Sequence, residues 1–330
     1  MVSFQDLPDE IVLKVINYLQ IKDLISCGHT SKRIRRISCD ESLWQKINIS
    51  KLSGMFSTLN LEYHNHNLPI EFLEMVLENG CQYLRLEDTV LGNPLELEDV
   101  SKYKMCLEKV SKLRYLDLKN CIANKDCFEE ILASCISLQK LSMPSGFFSI
   151  FLSQKMIESI CYKNGRTLQT LNLSCCKGLN LDSIQKITNN CKILTNVDFC
   201  GTCLSEKSIK FLANNLTFTI EKLNLGNLYN VKDDHVKTLV KRCDKISLLI
   251  LRHTPITTLT PVIEYLEKTL EKLDVSSCYS LTYAMLINLQ AMPRLKVLNC
   301  SFCDFDQDLV KKKMPTLRFE AISKSEEGLS

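Results

Sequence analysis

Residues 168–173 read LQTLNL, and the same L-x-x-L-x-L pattern returns down most of this 330-residue chain. Its first apolar residue falls at Leu113, Leu138, Leu168, Leu194, Ile220, Ile246, Leu270 and Leu295, in steps of 25, 30, 26, 26, 26, 24 and 25 residues. A weaker copy, Cys81-x-x-Leu84-x-Leu86, precedes them, and a partial one, Leu317-Arg318-Phe319, follows. A unit this short cannot bury its own apolar face. It must stack on its neighbours, so the repeat restricts the chain to an elongated, shared-core architecture.

Each period divides in two. The first half alternates: Leu171 and Leu173 point inward with Asn172 between them, the period-2 pattern of a strand with one buried face. The second half follows a 3.6-residue period, as in Ser183-Ile184-Gln185-Lys186-Ile187 running toward Cys191. Strands joined through helices and running the same way form a parallel sheet. The expected fold is therefore α/β, a solenoid with a curved parallel sheet and helices on its convex side. Residues between the strand leucines, such as Asn172, Ile250 and Asp274, are expected to face solvent. Replacing Asn172 or Asp274 by Ala should then cost no more than about 1 kcal/mol, against about 2 to 5 kcal/mol for Leu171 or Leu273.

Cysteine use fits the same repeat. The chain has 17 cysteines, an odd number in a long sequence, which points to reduced thiols rather than a disulfide framework. Three positions after the last strand leucine stands Cys121, Cys176, Cys278 or Cys303, with Thr202 and Thr254 in the same place. Cys135, Cys191 and Cys243 precede the next strand by three residues. They read as small fillers of a tight turn. The pairs Cys200 with Cys203 and Cys300 with Cys303 fall in different registers of the repeat, so no shared metal geometry is expected. His64 and His66 lack further ligands and read as loop residues. The longer step after Leu138 carries GFFSIFL at 146–152, read as core for an enlarged helix.

A formal charge of +3 with interspersed signs gives no nucleic-acid stripe, and no run of 18 apolar residues suggests a membrane span or secretory leader. No Gly-rich phosphate loop, zinc-protease helix or nucleophile elbow appears, so neither catalysis nor a cofactor is expected.

Residues 4–47 differ from the rest: FQDLPDEIVLKVINYLQIKDLISCGHTSKRIRRISCDESLWQKI. Pro8 suits a first helical turn, with Asp9 and Glu10 at the positive dipole end. Ile11, Val12, Val15, Ile16 and Leu19 make an apolar stripe, a second helix begins near Asp23, and a third, basic one holds Lys32, Arg33, Arg35 and Arg36. L-P-x-E at the start and S-L-W-Q at the end, followed by cysteine-containing leucine-rich repeats, resembles the F-box proteins. The order of DESLWQ at 40–45, TLVKRC at 238–243 and MPRLKVL at 292–298 is similar to their S-phase-kinase-associated branch. The expected domains are a helical F-box module at 1–49, a linker or degenerate first repeat at 50–80, repeats at 81–319 and a short polar tail at 320–330.

The resemblance implies a non-catalytic substrate receptor of a cullin-RING ubiquitin ligase, in the cytoplasm or nucleus. Its F-box would bind a Skp-family adaptor, and through it cullin and RING subunits, using Leu7, Pro8, Glu10, Ile11, Leu19, Leu24 and Trp44. The implied target is a phosphorylated cell-cycle regulator, with a small cyclin-kinase-subunit protein as a candidate accessory. On the concave face, Lys222, Leu248, Ile250, Arg252, His253, Lys272 and Asp274 form a mixed apolar and basic patch, the candidate substrate site. A repeat scaffold or inhibitor acting by occupancy alone is the competing reading, because the repeat itself does not imply ubiquitin transfer.

Overall fold

The computed structural model describes residues 4, 7–19, 21–28, 30–48, 66–68, 76–77, 80–87, 89–91, 112–123, 125–145 and 150–320. The chain forms two compact units, Met1–Leu138 and Gln139–Ser330. Most of the segment at 50–80, the tail from 321 on, and residues 146–149 of GFFSIFL lie outside the described residues.

The first unit begins with four short helices: α1 Asp9–Ile16, α2 Ile21–Gly28, α3 Lys32–Ser38 and α4 Glu41–Trp44. Side-chain caps fix two of the starts. Ser31 Oγ accepts the Ile34 N–H at 3.1 Å, and Asp40 Oδ1 accepts that of Ser42 at 2.9 Å. Val12, Ile16, Leu24, Ile37 and Trp44 make the core. The Trp44 indole N–H donates to the Ser38 carbonyl at 2.6 Å, so the ring is packed and its one donor satisfied. The chain then enters β1, Lys46–Asn48, which pairs in parallel with β3, Tyr83–Arg85, and β3 with β5, Tyr115–Asp117. The helical head thus shares a sheet with the first repeats, which is why both fall in one unit. A second parallel pair, β2 His66–Leu68 with β4 Thr89–Leu91, and helix α5, Lys125–Ser134, complete the described part.

The second unit is the repeat array. Seven three-residue strands form one parallel sheet: β6 Lys140–Ser142, β7 Thr170–Asn172, β8 Asn196–Asp198, β9 Lys222–Asn224, β10 Leu248–Ile250, β11 Lys272–Asp274 and β12 Val297–Asn299. The register aligns Leu141, Leu171, Val197, Leu223, Leu249, Leu273 and Leu298, each almost fully buried. Between strands run α6 Gln154–Glu158, continued by a π-helical turn Ser159–Lys163, then α7 Leu181–Asn190, α8 Glu206–Asn215, α9 Asp233–Arg242, α10 Thr260–Leu266 and α11 Tyr283–Ile287, and α12 Gln307–Lys313 follows β12. This is the expected leucine-rich-repeat solenoid. One expectation fails at the longer step: Ile150 and Leu152 are buried, but Phe151 is exposed, its backbone bridging to Lys177.

Three residues past each strand from β7 on, the backbone turns left-handed, at Cys175, Gly201, Asn227, His253, Ser277 and Phe302. The N–H groups of the first five extend the ladder: Cys175 donates to the Cys200 carbonyl at 2.7 Å, Asn227 to Arg252 at 2.9 Å and Ser277 to Ser301 at 2.8 Å. Except after Asn227, where Leu228 follows, the next residue is the turn cysteine or threonine, and it is more than filler. Cys121, Cys176, Cys278 and Cys303 donate their thiols to the carbonyls of Leu86, Met143, Leu251 and Val275, each the last strand apolar position of the preceding repeat, at 2.7 to 3.2 Å. Thr202 and Thr254 are shorter and turn back on their own repeat, to Phe199 and Leu251. Burial keeps three of these thiols protonated, pushing Cys303 up to about 11 and Cys176 and Cys278 upward as well.

The row expected to face solvent is buried. Asn172, Asp198, Asn224, Asp274 and Asn299 do lie opposite the leucines, but each side-chain oxygen accepts the N–H two residues on, at 2.8 to 3.2 Å. Asn224 and Asn299 also donate across the sheet to the carboxylates of Asp198 and Asp274. Ser142, a polar member of the row, departs from this pattern for a visible reason. Two residues on stands Pro144, which has no N–H to offer, and among the described residues the buried Ser142 hydroxyl has no hydrogen-bond partner. Asp274→Ala should therefore cost about 1 to 3 kcal/mol rather than less than 1, because the amide groups it serves would be left unpaired. Ser277→Gly should hold or raise the denaturation midpoint, and Ser277→Val should lower stability by about 1 to 2 kcal/mol, both read by urea unfolding.

Candidate adaptor and substrate surfaces

In the head, the apolar stripe of α1 splits over two faces. Val12 and Ile16 enter the core, whereas Ile11, Val15 and Leu19 stay exposed and Tyr18, just beyond the helix, is 89% exposed. Ile11, Val15 and Tyr18 recur at the spacing of one helical face, so the head presents a contiguous apolar strip to solvent. Beside it, Ile16, Asn17, Leu19, Leu24, Ser42, Leu43, Gln45, Lys46 and Ile47 line a cleft of about 360 Å³.

Of the residues expected to touch an adaptor, Pro8, Glu10, Ile11 and Leu19 are exposed and Leu7 is half-buried. Leu24 and Trp44 are not surface residues: they are 3% and 2% exposed, and act as core. Sequence periodicity marked Val15 as part of a stripe but could not say which way it faced, and Tyr18 carried no signal.

An ion-pair clamp that the sequence did not reveal holds this surface in place. Arg33 on α3 donates to Asp9 Oδ1 at 2.6 Å and to the Leu7 carbonyl at 2.5 Å, and Arg36 pairs with Asp9 Oδ2. Two of the basic residues of α3 thus point back at the start of α1. The Arg33 hydrogen bond, aided by the charges of Arg33 and Arg36, pulls the Asp9 carboxyl below its ordinary value of 3.8.

On the face of the repeats opposite the leucines, Lys222, Lys272, Arg252 and His253 are half-buried; Lys222 feels the charge of Lys272, whereas Arg252 reaches Cys200 and His253 reaches Asn227. Leu248 and Ile250 do not form an exposed centre; they are 2% and 0% exposed and cluster with Val297. Asp274 is also buried, its Oδ1 taken by the Ser276 N–H and hydroxyl and its Oδ2 by Asn299. His253 sits at positive φ, with Nδ1 3.1 Å from Asn227 Oδ1 and its ring edge-on to Tyr229 and Tyr279, at 5.2 and 6.1 Å between centroids. Both tyrosines are exposed. They lie in loops, where no period marks them.

With this geometry in place, comparison with known proteins is direct. A family model of the SKP2 LRR domain matches residues 71–323, and an F-box-like model matches residues 4–50. F-box/LRR-repeat protein 4 of Bos taurus is 25% identical over 289 residues, covering 74% of this chain and 45% of that protein. A putative F-box/LRR-repeat protein of Arabidopsis thaliana is 28% identical over 205 residues, covering 60% of this chain and 38% of that one. The chain belongs to the F-box/leucine-rich-repeat family, with repeats of the SKP2 type. It spans less than half the length of these curated relatives. Two solved structures are more distant: a chain of the yeast Rad7 and Elc1 complex, 16% identical with a TM-score of 0.46 over 96% of this chain and 92% of that one, and an internalin of Listeria monocytogenes, 13% identical with a TM-score of 0.46 over 76% and 82%.

The clamp yields a pH prediction. A carboxyl whose pKa is depressed on folding adds stability above its unfolded value, and that stability is lost as pH falls through the folded one. Trp44 is the chain's single tryptophan and sits in the head, so its emission reports this unit. The wild-type emission should shift to the red only as the pH falls below the ordinary carboxylate range. In Asp9→Asn the denaturant midpoint read by Trp44 should be lower at pH 7 and change less between neutral and acid pH.

Proposed function

We propose that this chain is the substrate-recognition subunit of an SCF-type cullin-RING ubiquitin ligase. The observation that carries the proposal is the exposed strip of Ile11, Val15, Tyr18 and Leu19 within the residues that match the F-box. A small head that spends apolar side chains on both faces of its first helix has one face left for a partner. A Skp-family adaptor is the partner the F-box implies, and cullin and RING subunits follow through it. The repeat face then holds a protein substrate.

The chain supplies no chemistry of its own in this reading. It raises the effective concentration of substrate lysines at a charged conjugating enzyme. The finer proposal is that the substrate is a phosphorylated cell-cycle regulator, taken alone or with a cyclin-kinase-subunit protein in the cytoplasm or nucleus, and that ubiquitination leads to its proteasomal degradation. The surfaces involved are the strip together with Pro8 and Glu10 for the adaptor, and Lys222, Lys272, Arg252 and His253 for the substrate.

The test separates surface from core. Ile11→Asp with Val15→Asp should abolish capture of adaptor and cullin while leaving the Trp44 emission of the head unchanged. Leu24→Asp should lose the capture and shift the Trp44 emission to the red, because it breaks the core. Full adaptor capture by the Ile11/Val15 variant would reject the assigned surface. Failure of the unaltered chain to capture any adaptor would favour a scaffold acting by occupancy.

A further inference from the structure

The loops that leave the last strands of the second unit carry almost no charge. No Asp, Glu, Lys or Arg occurs at 223–231, 253–263, 275–293 or 297–303, in a chain of which 24% is charged. Depletion of charge together with exposed tyrosine is the compositional mark of the centre of a protein interface. Arg252, beside the second of these runs, is held on Cys200 Sγ at 3.5 Å.

Three rings stand in these loops on successive repeats: Tyr229 beyond β9, His253 beyond β10 and Tyr279 beyond β11. The His253 ring meets both tyrosines edge-on, at 87° and 86° between planes, and its Nδ1 is tied to Asn227 Oδ1 at 3.1 Å. Buried Leu228, Val231, Ile256, Cys278 and Leu281 anchor the same loops from beneath. His253 thus braces two tyrosines that are still 67% and 62% exposed, and Phe302, 76% exposed, prolongs the rim beyond β12. Rings braced before a partner arrives offer contact area at little loss of side-chain freedom.

Spacing selects the kind of segment that fits. The tyrosines are two strands apart, which at about 4.8 Å per strand is roughly 10 Å. A polyproline II helix repeats every three residues, a rise of about 9 Å, and puts residues i and i+3 on one face. A β-strand turns the same two residues to opposite faces. The polyproline II backbone makes no hydrogen bonds of its own, so its carbonyls can accept from tyrosine hydroxyls, whereas those of an α-helix are already taken. A rim without charge gives an acidic or a basic segment nothing to pair with.

We propose that Tyr229, His253 and Tyr279 form a docking site for a proline-rich segment of a protein partner, bound as a polyproline II helix with prolines three residues apart, one against each tyrosine. The site adjoins the proposed substrate surface at His253. It rests on ring spacing and missing charge, and holds whether or not the chain serves a ligase.

Fluorescence anisotropy on the full chain tests this with labelled peptides of the form P-x-x-P, x varied among uncharged residues. Peptides of the same composition with the prolines four apart, and a trimethyl-lysine peptide, serve as comparators. The P-x-x-P peptides should bind, with an affinity that changes little between low and high salt. Tyr229→Ala with Tyr279→Ala should weaken binding by more than about tenfold and leave the urea midpoint unchanged, because both rings lie outside the core. Phe at both positions should keep part of the affinity, retaining the ring and losing the hydroxyl. Absence of P-x-x-P binding, equal binding of the four-apart peptides, or unchanged binding by the double Ala variant overturns the inference. A preference for the trimethyl-lysine peptide also overturns it, by making the orthogonal rings a cation cage. So does self-association in sedimentation that the double Ala variant abolishes, which would assign the rim to a second copy. Adaptor capture should be equal for all these variants, and its absence in the unaltered chain counts against the ligase reading alone.

Discussion

Three residues beyond the end of β7, β9, β10, β11 and β12, the backbone takes a positive φ at Cys175, Asn227, His253, Ser277 and Phe302, and Gly201 does so beyond β8. Strands of only three residues cannot hold a sheet together by themselves. Except at Phe302, beyond the last strand, the left-handed residue carries the parallel ladder one hydrogen bond further before the chain departs toward its helix. Side chains pay a conformational penalty there, which the added backbone bond offsets, helped at all but Asn227 by the thiol or hydroxyl of the following residue. Because the turn recurs at a fixed place, the strands keep one register. Register in turn decides which side chains share a row opposite the leucines, as in the Asn/Asp ladder.

How much of this was legible in the sequence follows from which features repeat. The spacing of Leu113 through Leu295 specified the solenoid, because each leucine position has a single use. The left-handed position was illegible, because Cys, Asn, His, Ser and Phe all occupy it and it carries no residue signature. Alternation correctly put Asn172 and Asp274 opposite the leucines, yet alternation reports direction, not accessibility. Their side chains are short enough to fold back on the backbone, and they are buried for that reason. Ile250 stands in the same row without an acceptor atom and is buried by packing with Leu248 and Val297 instead.

The head shows the same limit from the other side. Five apolar residues at helical spacing, four of them in α1, signalled a helix with something to bury, but not that the burial is shared between the module's own core and a face left open. Leu24 and Trp44 read as contact residues because they belong to the motif, whereas their place is beneath it. Asp9 read as a helix-dipole residue and is in fact the anchor for Arg33 and Arg36, which ties α3 to the start of α1. A core this small depends on such a tie, and the exposed strip depends on that core for its shape.

Division of labour between an adaptor-binding head and a partner-binding repeat face is the central claim, and hydrogen–deuterium exchange on the full chain tests it most directly. Adding a Skp-family adaptor should slow exchange of the amides across residues 11–19, where the apolar strip lies, and leave the strand amides of β6 to β12 unchanged. Protection appearing on the repeat strands instead, or none in the head at saturating adaptor, would contradict it.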